Sequence, residues 1–146
     1  PVLLPAVTFI TASIISFSTG SSWATMSILV PVTVPMSIQL MGGDGNQVVQ
    51  DPIFLSTFAG VLSGSVFGDH CSPISDTTVL SSTATGSDHI DHVRTQLPYA
   101  VISGVVALLA GYIFTGFGIS LIVSLSVGLI LVIGVLKIFG KPILHE

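Results

Sequence analysis

Two long stretches of this chain, residues 1–43 and 95–136, contain no Asp, Glu, Lys or Arg. Each exceeds the ~20 residues a helix needs to cross a hydrocarbon core. Only 7% of the 146 residues are charged while 50% are hydrophobic, against roughly 25% charged in an average soluble domain. A chain this short cannot hide so much apolar surface in its own core, so its solvent is the lipid bilayer. Seven acidic residues against three basic ones leave no basic face for a phosphate backbone, which excludes nucleic acid as a partner. The fold class expected is an all-α polytopic membrane protein.

The charges that do occur are concentrated. Asp44, Asp51, Asp69, Asp76, Asp88, Asp91 and Arg94 fall between the two uncharged blocks, and Lys137, Lys141 and Glu146 close the chain. The sequence opens inside an apolar run at Pro1, without the charged leader region of a signal peptide. We therefore expect the C-terminal part of a longer transporter-like chain, with the N-terminal half of the same chain as its missing partner. The single cysteine, Cys71, excludes an intrachain disulfide and reads as a packing residue.

Apolar runs at 2–17 and 23–41 are each about 16 to 19 residues, or roughly 24–28 Å of helix, slightly short of a ~30 Å core. The tip between them, Thr19-Gly20-Ser21-Ser22, is small and polar. Two short arms and such a tip predict a re-entrant hairpin over 1–41, with two ordinary spans as the alternative. Non-helical backbone at membrane depth must be buried in protein or line a watery cavity, and the tip hydroxyls meet that demand. An aqueous loop follows at 42–52. Helical stretches at 53–67 and 77–85 are each too short to span, and Gly68 and Pro73 between them are helix breakers. The expectation is one discontinuous transmembrane helix over 53–86, unwound at 68–76. A polar stretch at 86–96 precedes two transmembrane helices, 97–115 and 119–139, joined by Gly116-Phe117-Gly118. Gly104, Gly111, Gly128 and Gly134 would permit close helix approach. This topology puts Arg94, Lys137 and Lys141 on one side, which places the C-terminus in the cytoplasm.

Acidic side chains inside a membrane cost at least ~2.5 kcal/mol each on insertion scales, so they mark function. Asp69 and Asp76 flank the break, and Ser72, Ser75, Thr77 and Thr78 stand beside them. Discontinuous helices present carbonyls and half-helix C-termini to cations. Carboxylate, hydroxyl and carbonyl oxygens together suit Na⁺ and equally a proton. Asp76 or Ser75 also reads as the N-cap of the second half-helix. His70 is a candidate proton relay, because imidazole changes charge near neutral pH, or else a satisfied buried histidine. The cluster Asp88-His89-Ile90-Asp91-His92 has two histidines three residues apart, but zinc needs further ligands and no Cys pair is near. It reads as a polar interfacial turn, with Asp88 or Asp91 pairing to Arg94. No metal other than Na⁺ and no cofactor is expected.

The run Gly64-Ser65-Val66-Phe67-Gly68-Asp69-His70-Cys71-Ser72-Pro73-Ile74-Ser75-Asp76-Thr77-Thr78 resembles the signature of the NhaC-type sodium/proton antiporter family. Asp88-His89-Ile90-Asp91-His92-Val93-Arg94-Thr95-Gln96-Leu97-Pro98-Tyr99-Ala100 continues the resemblance, and Gly20-Ser21-Ser22-Trp23-Ala24-Thr25 is similar to the family's Gly-Thr-Ser-Trp-Gly-Thr element. The resemblance implies secondary transport across the inner or plasma membrane on an inverted-repeat fold. The tip at Thr19 to Ser22 and the break at Asp69 to Asp76 would be the site elements of its second half. It implies Na⁺/H⁺ antiport by alternating access, with Asp69 and Asp76 binding Na⁺ or H⁺ competitively. Ser72, Ser75 and Thr77 would be neutral ligands. Coupled exchange of a small organic acid or amino acid is the alternative within the family. A non-transporting fragment and, more weakly, a metalloprotease resting on His89 and His92 are alternatives outside it. Homodimerisation is left open.

Overall fold

The computed structural model describes residues 1–42 and 45–140; Asp44, Lys141 and Glu146 lie outside them. Among the described residues every regular element is helical: α1 Leu4–Thr19, α2 Ser22–Met41, a short α3 Gly45–Val48, α4 Pro52–Cys71, α5 Asp76–Thr85, α6 His89–Gly116 and α7 Leu121–Phe139.

The centre of the fold is the seam between α1 and α4. One face of α1 buries Pro5, Phe9, Ala12, Ser13 and Ser16, and the facing stripe of α4 buries Thr57, Gly60, Val61, Gly64, Ser65 and Gly68. A methyl group added at Gly60 would lie 2.8 Å from the Pro5 carbonyl oxygen. At Gly64 it would run into the Phe9 carbonyl, and at Gly68 into that of Ser13. The pairs 5/60, 9/64 and 13/68 advance together, so the two helices run parallel in register, four residues per step. Glycines four apart bring helix backbones together in lipid, where packing rather than water expulsion drives association. Much of this interior is hydroxylic. Buried Ser13, Ser37, Thr57 and Ser65 donate to the carbonyl four residues back, at 2.7 Å each. Ser16 crosses the seam to the carbonyl of Ser65 (2.5 Å), and Thr8 shares its hydroxyl hydrogen between the carbonyls of Leu4 (3.0 Å) and Pro5 (2.9 Å) in its own helix and that of Thr57 (3.2 Å) across the seam. Among the described residues no buried side-chain polar atom lacks a partner, as a lipid-solvated protein requires.

Gly20, at φ +66°, ends α1 in a left-handed turn, and the chain returns as α2, capped by the Ser21 hydroxyl on the Ala24 amide at 3.3 Å. α2 stays helical through Pro31 and Pro35. At 20 residues, about 30 Å, it is long and apolar enough to cross a membrane, whereas α1, at 16 residues, is not. Asp51 caps α4 by accepting from the Ile53 amide at 2.8 Å.

Two expectations are corrected here. The break is four residues, 72–75, rather than 68–76: α4 continues through Gly68 to Cys71. Gly68 serves as a contact glycine against α1, not as a breaker, and Pro73 alone of the two lies in the break. The polar stretch 86–96 is helical from His89 rather than an interfacial turn ahead of a helix at 97, because Asp88 caps that helix, accepting from the Ile90 and Asp91 amides at 2.9 and 3.1 Å. The resulting 28-residue α6 contains a π-helical segment, Ala107–Ile113. Tyr112 in that segment stacks on Phe9, with ring centroids 4.9 Å apart, and bonds Ser63 of α4. Of the four glycines expected at helix contacts, Gly104 sits against the Phe67 ring and Gly128 meets Ala110, while Gly111 and Gly134 face open space. α7 is anchored by the buried Ser124 hydroxyl on the Ala110 carbonyl. Among the described residues, α2, α6 and α7 are the three helices long and apolar enough to span.

Candidate functional site

Because α1 and α4 run parallel, their C-terminal ends arrive at the same level, and the two chain reversals that follow meet there. Gly20 at the tip is buried against the break: a methyl group on it would lie 2.9 Å from the Ile74 carbonyl oxygen. The buried Ser72 hydroxyl donates to the Phe17 carbonyl at 2.8 Å, joining the break to the last turn of α1. Two helix C-termini (α1 and α4) and two helix N-termini (α2 and α5) therefore converge. The first pair favours cations and the second favours anions.

Asp69 stands at this convergence, half-buried in the last turn of α4. Its Oδ2 accepts from the Ser22 hydroxyl at 3.1 Å and its Oδ1 from the Ser75 hydroxyl at 2.6 Å. One carboxylate is thus held from both sides, by the first residue of α2 and the last residue of the break. Ser75 has a single hydroxyl hydrogen, and that hydrogen points at Asp69. In its contact with Thr77 Oγ1 at 2.8 Å, Thr77 is therefore the donor. Ser75 also accepts from the Thr77 amide at 3.3 Å, which makes it the N-cap of α5.

The remaining candidate residues divide around this point. Asp76 is exposed in the first turn of α5, outside the hydroxyl pair that grips Asp69. Thr77 reaches Asp69 only through Ser75, and Thr78 is buried. Thr19 is exposed and bonds the Ser16 carbonyl and the Thr25 hydroxyl at 3.4 and 3.5 Å. His70 is exposed, and the Gln96 side-chain amide donates both to its carbonyl at 3.0 Å and to its Nε2 at 2.7 Å. His70, Thr77, Thr78, Ser81, His92 and Gln96 line a polar cavity of about 250 Å³ beside the break.

Sequence reading gave His89 only a turn or metal role, and gave Gln96 none. Asp88 gives its Oδ1 to the cap of α6, while His89 turns both ring nitrogens inward, to the Ser82 hydroxyl at 3.0 Å and the Pro73 carbonyl at 2.6 Å. Neither nitrogen is left for a metal. The signal was present in the spacing: His89, His92 and Gln96 fall at i, i+3 and i+7, one face of a helix.

Comparison with known proteins decides the family. The model for the Na⁺/H⁺ antiporter family matches residues 1–117. The chain belongs to the Na⁺/H⁺ antiporter family. Family relatives include a malate-2H⁺/Na⁺-lactate antiporter of Bacillus subtilis, 34% identical over 83% of this chain and 25% of that protein. An arginine/ornithine antiporter, ArcD, of Halobacterium salinarum is 37% identical over 73% of this chain and 21% of its own length. The Na⁺/H⁺ antiporter NhaC of Alkalihalophilus pseudofirmus is 32% identical over 71% of this chain and 21% of its own. The chain thus spans about a fifth to a quarter of the length of these relatives. No solved structure matches it. The tip, the break and Asp69 all lie within the matched region, as does α6.

Proposed function

We propose that this chain contributes ion-coupling elements of a secondary transporter that exchanges Na⁺ for H⁺ across the cell membrane. The observation that carries the reading is the Asp69 carboxylate, gripped by Ser22 and Ser75 where four helix ends meet. In its charged form Asp69 accepts both hydroxyls and attracts a cation, for which Ser22 offers oxygen lone pairs while those of Ser75 are taken up by Thr77. Protonation removes the charge and with it the attraction for Na⁺, so the two ions compete. Alternating access then needs only that the tip and the break close on one side while opening on the other. In this reading α1 and α2 form a re-entrant hairpin, and α4 with α5 forms the discontinuous helix. The rest of the transporter supplies an inverted counterpart, and the C-terminus faces the cytoplasm.

The experiment uses full-length protein in proteoliposomes that hold a pH-sensitive dye and an imposed proton gradient. Addition of Na⁺ should collapse the gradient, and Asp69→Asn should abolish the response while the protein still folds. A fully active Asp69→Asn variant would overturn the assignment.

A second reading is favoured by the relatives named for malate/lactate and arginine/ornithine exchange. The same site would couple the ion to a small organic solute, its carboxylate held at the N-terminus of α2 near Ser22. Counterflow of labelled malate, lactate or arginine, with no gradient collapse on Na⁺ alone, is the outcome that selects it.

A further inference from the structure

The break could hold Ser75 against Asp69 only if its own backbone were fixed, and its internal ties are long: the Ser75 amide to the Ser72 carbonyl and the Ile74 amide to the Ser72 hydroxyl, each 3.4 Å. Ser72 is tied to α1 and Ser75 to Asp69, but the carbonyl of Pro73, between them, receives no backbone amide among the described residues. Its partner is the imidazole of His89, which comes from α6. We infer that His89 is a positioning residue for the ion site: a strut from α6 that fixes the break through the Pro73 carbonyl.

The hydrogen-bond chemistry of the strut is determined by its partners. A carbonyl oxygen only accepts, so Nε2 of His89 must carry the hydrogen that bonds Pro73. The other nitrogen meets the Ser82 hydroxyl in the last turns of α5 and orients the ring. One side chain therefore bridges α6, the break and α5. Seven residues on, two turns along the same face of α6, Gln96 donates to the carbonyl of His70 in the last turn of α4. The N-terminal half of α6 thus holds the break at its middle and α4 at its end. His89 touches neither Asp69 nor its hydroxyl partners, so its influence on ion binding passes through the Pro73–Ser75 backbone. This inference uses the proposed ion site as its functional readout but rests on contacts outside it.

Two isosteric amides test it. Gln places an N–H donor near where His carries Nε2, and Asn places its amide group, which can donate or accept, near where His carries Nδ1. His89→Gln should keep the bond to Pro73, whereas His89→Asn should keep only the contact with Ser82. In full-length protein in proteoliposomes, His89→Asn should raise the Na⁺ KM about three- to tenfold, as expected for one lost hydrogen bond. The maximal rate should change less, and His89→Gln should stay within about twofold of wild type by the same reckoning. Hydrogen exchange of the backbone amides at 72–78, followed by mass spectrometry, should be faster in His89→Asn than in His89→Gln. Equal behaviour of the two variants in both assays would overturn the strut, because only the longer amide reaches the Pro73 carbonyl. If wild type shows no Na⁺-dependent exchange, the transport reading fails. The exchange rates at 72–78 would then still decide the strut by themselves.

Discussion

Substitution of Gly64 by alanine is a direct test of the fold, because the structure fixes what the new methyl would meet. Gly64 is buried on the α4 stripe, and a methyl on it would run into the Phe9 carbonyl oxygen and lie 3.0 Å from the Ala12 methyl. Neither obstacle is a flexible side-chain end, so α1 and α4 must separate by about 1 Å to restore ordinary contact. The hydroxyl bonds across the seam would stretch with them. Thr8 to Thr57, already 3.2 Å, would open, and Ser16 to Ser65 would lengthen from 2.5 Å toward the limit. Overpacking costs about 1–3 kcal/mol and each interhelical bond in a membrane about 0.6 kcal/mol. Alanine recovers about 1 kcal/mol of helix propensity. The net is a destabilisation on the order of 1–3 kcal/mol. Gly134→Ala is the control, since a methyl there meets nothing within 4 Å. Thermal unfolding of detergent-solubilised full-length protein, with exposure of the buried Cys71 thiol read by alkylation and mass spectrometry, compares the two. A Gly64→Ala variant as stable as Gly134→Ala would refute the close α1–α4 seam.

Further outcomes follow from the same geometry. Asp76→Asn, at a residue read from the sequence as a second ion ligand, should raise the Na⁺ KM severalfold and leave proton coupling intact, because Asp76 is exposed and outside the Ser22–Ser75 grip; the dye assay against a Na⁺ series reads both. Gly20→Ala should disable transport, since Gly20 combines φ +66° with a 2.9 Å approach to the Ile74 carbonyl; uptake of ²²Na⁺ reads it. Asp51→Ala should lower the melting temperature by removing the N-cap of α4, a change typically costing about 1 kcal/mol, with Na⁺ affinity unchanged in binding assays.

The lipid-solvated helical class was legible because 1–43 and 95–136 lack charge, a pattern that depends on composition and not on contacts. The polar tip and the existence of a break near Pro73 were legible because local chemistry dictates them. The limits of the break were not. Gly68 has the same intrinsic preference whether it ends a helix or admits a neighbour, and only the Ser13 carbonyl beside it decides. The same ambiguity hid the true seam: Gly104, Gly111 and Gly134 read like Gly60 and Gly64 until their surroundings are known. At the site, Asp69, Ser22 and Ser75 were all named from the sequence. That Ser22 and Ser75 should share one carboxylate, with Thr77 a step removed, depends on the parallel register of α1 and α4. His89 was misjudged because its neighbours Asp88 and His92 invite a metal or turn reading, and its partner Pro73 is sixteen residues away.

The parallel seam has one more property, which concerns motion rather than stability. Gly60, Gly64 and Gly68 repeat every four residues, and the crossing hydroxyls Thr8 and Ser16 are eight apart, as are their acceptors Thr57 and Ser65. The face that α1 turns to those glycines does not repeat: Pro5, Phe9 and Ser13 differ in size, and Phe9 also stacks on Tyr112. A shift by one step of about 6 Å would part these contacts, so α1 and α4 are expected to move as one body that carries the tip and the break together.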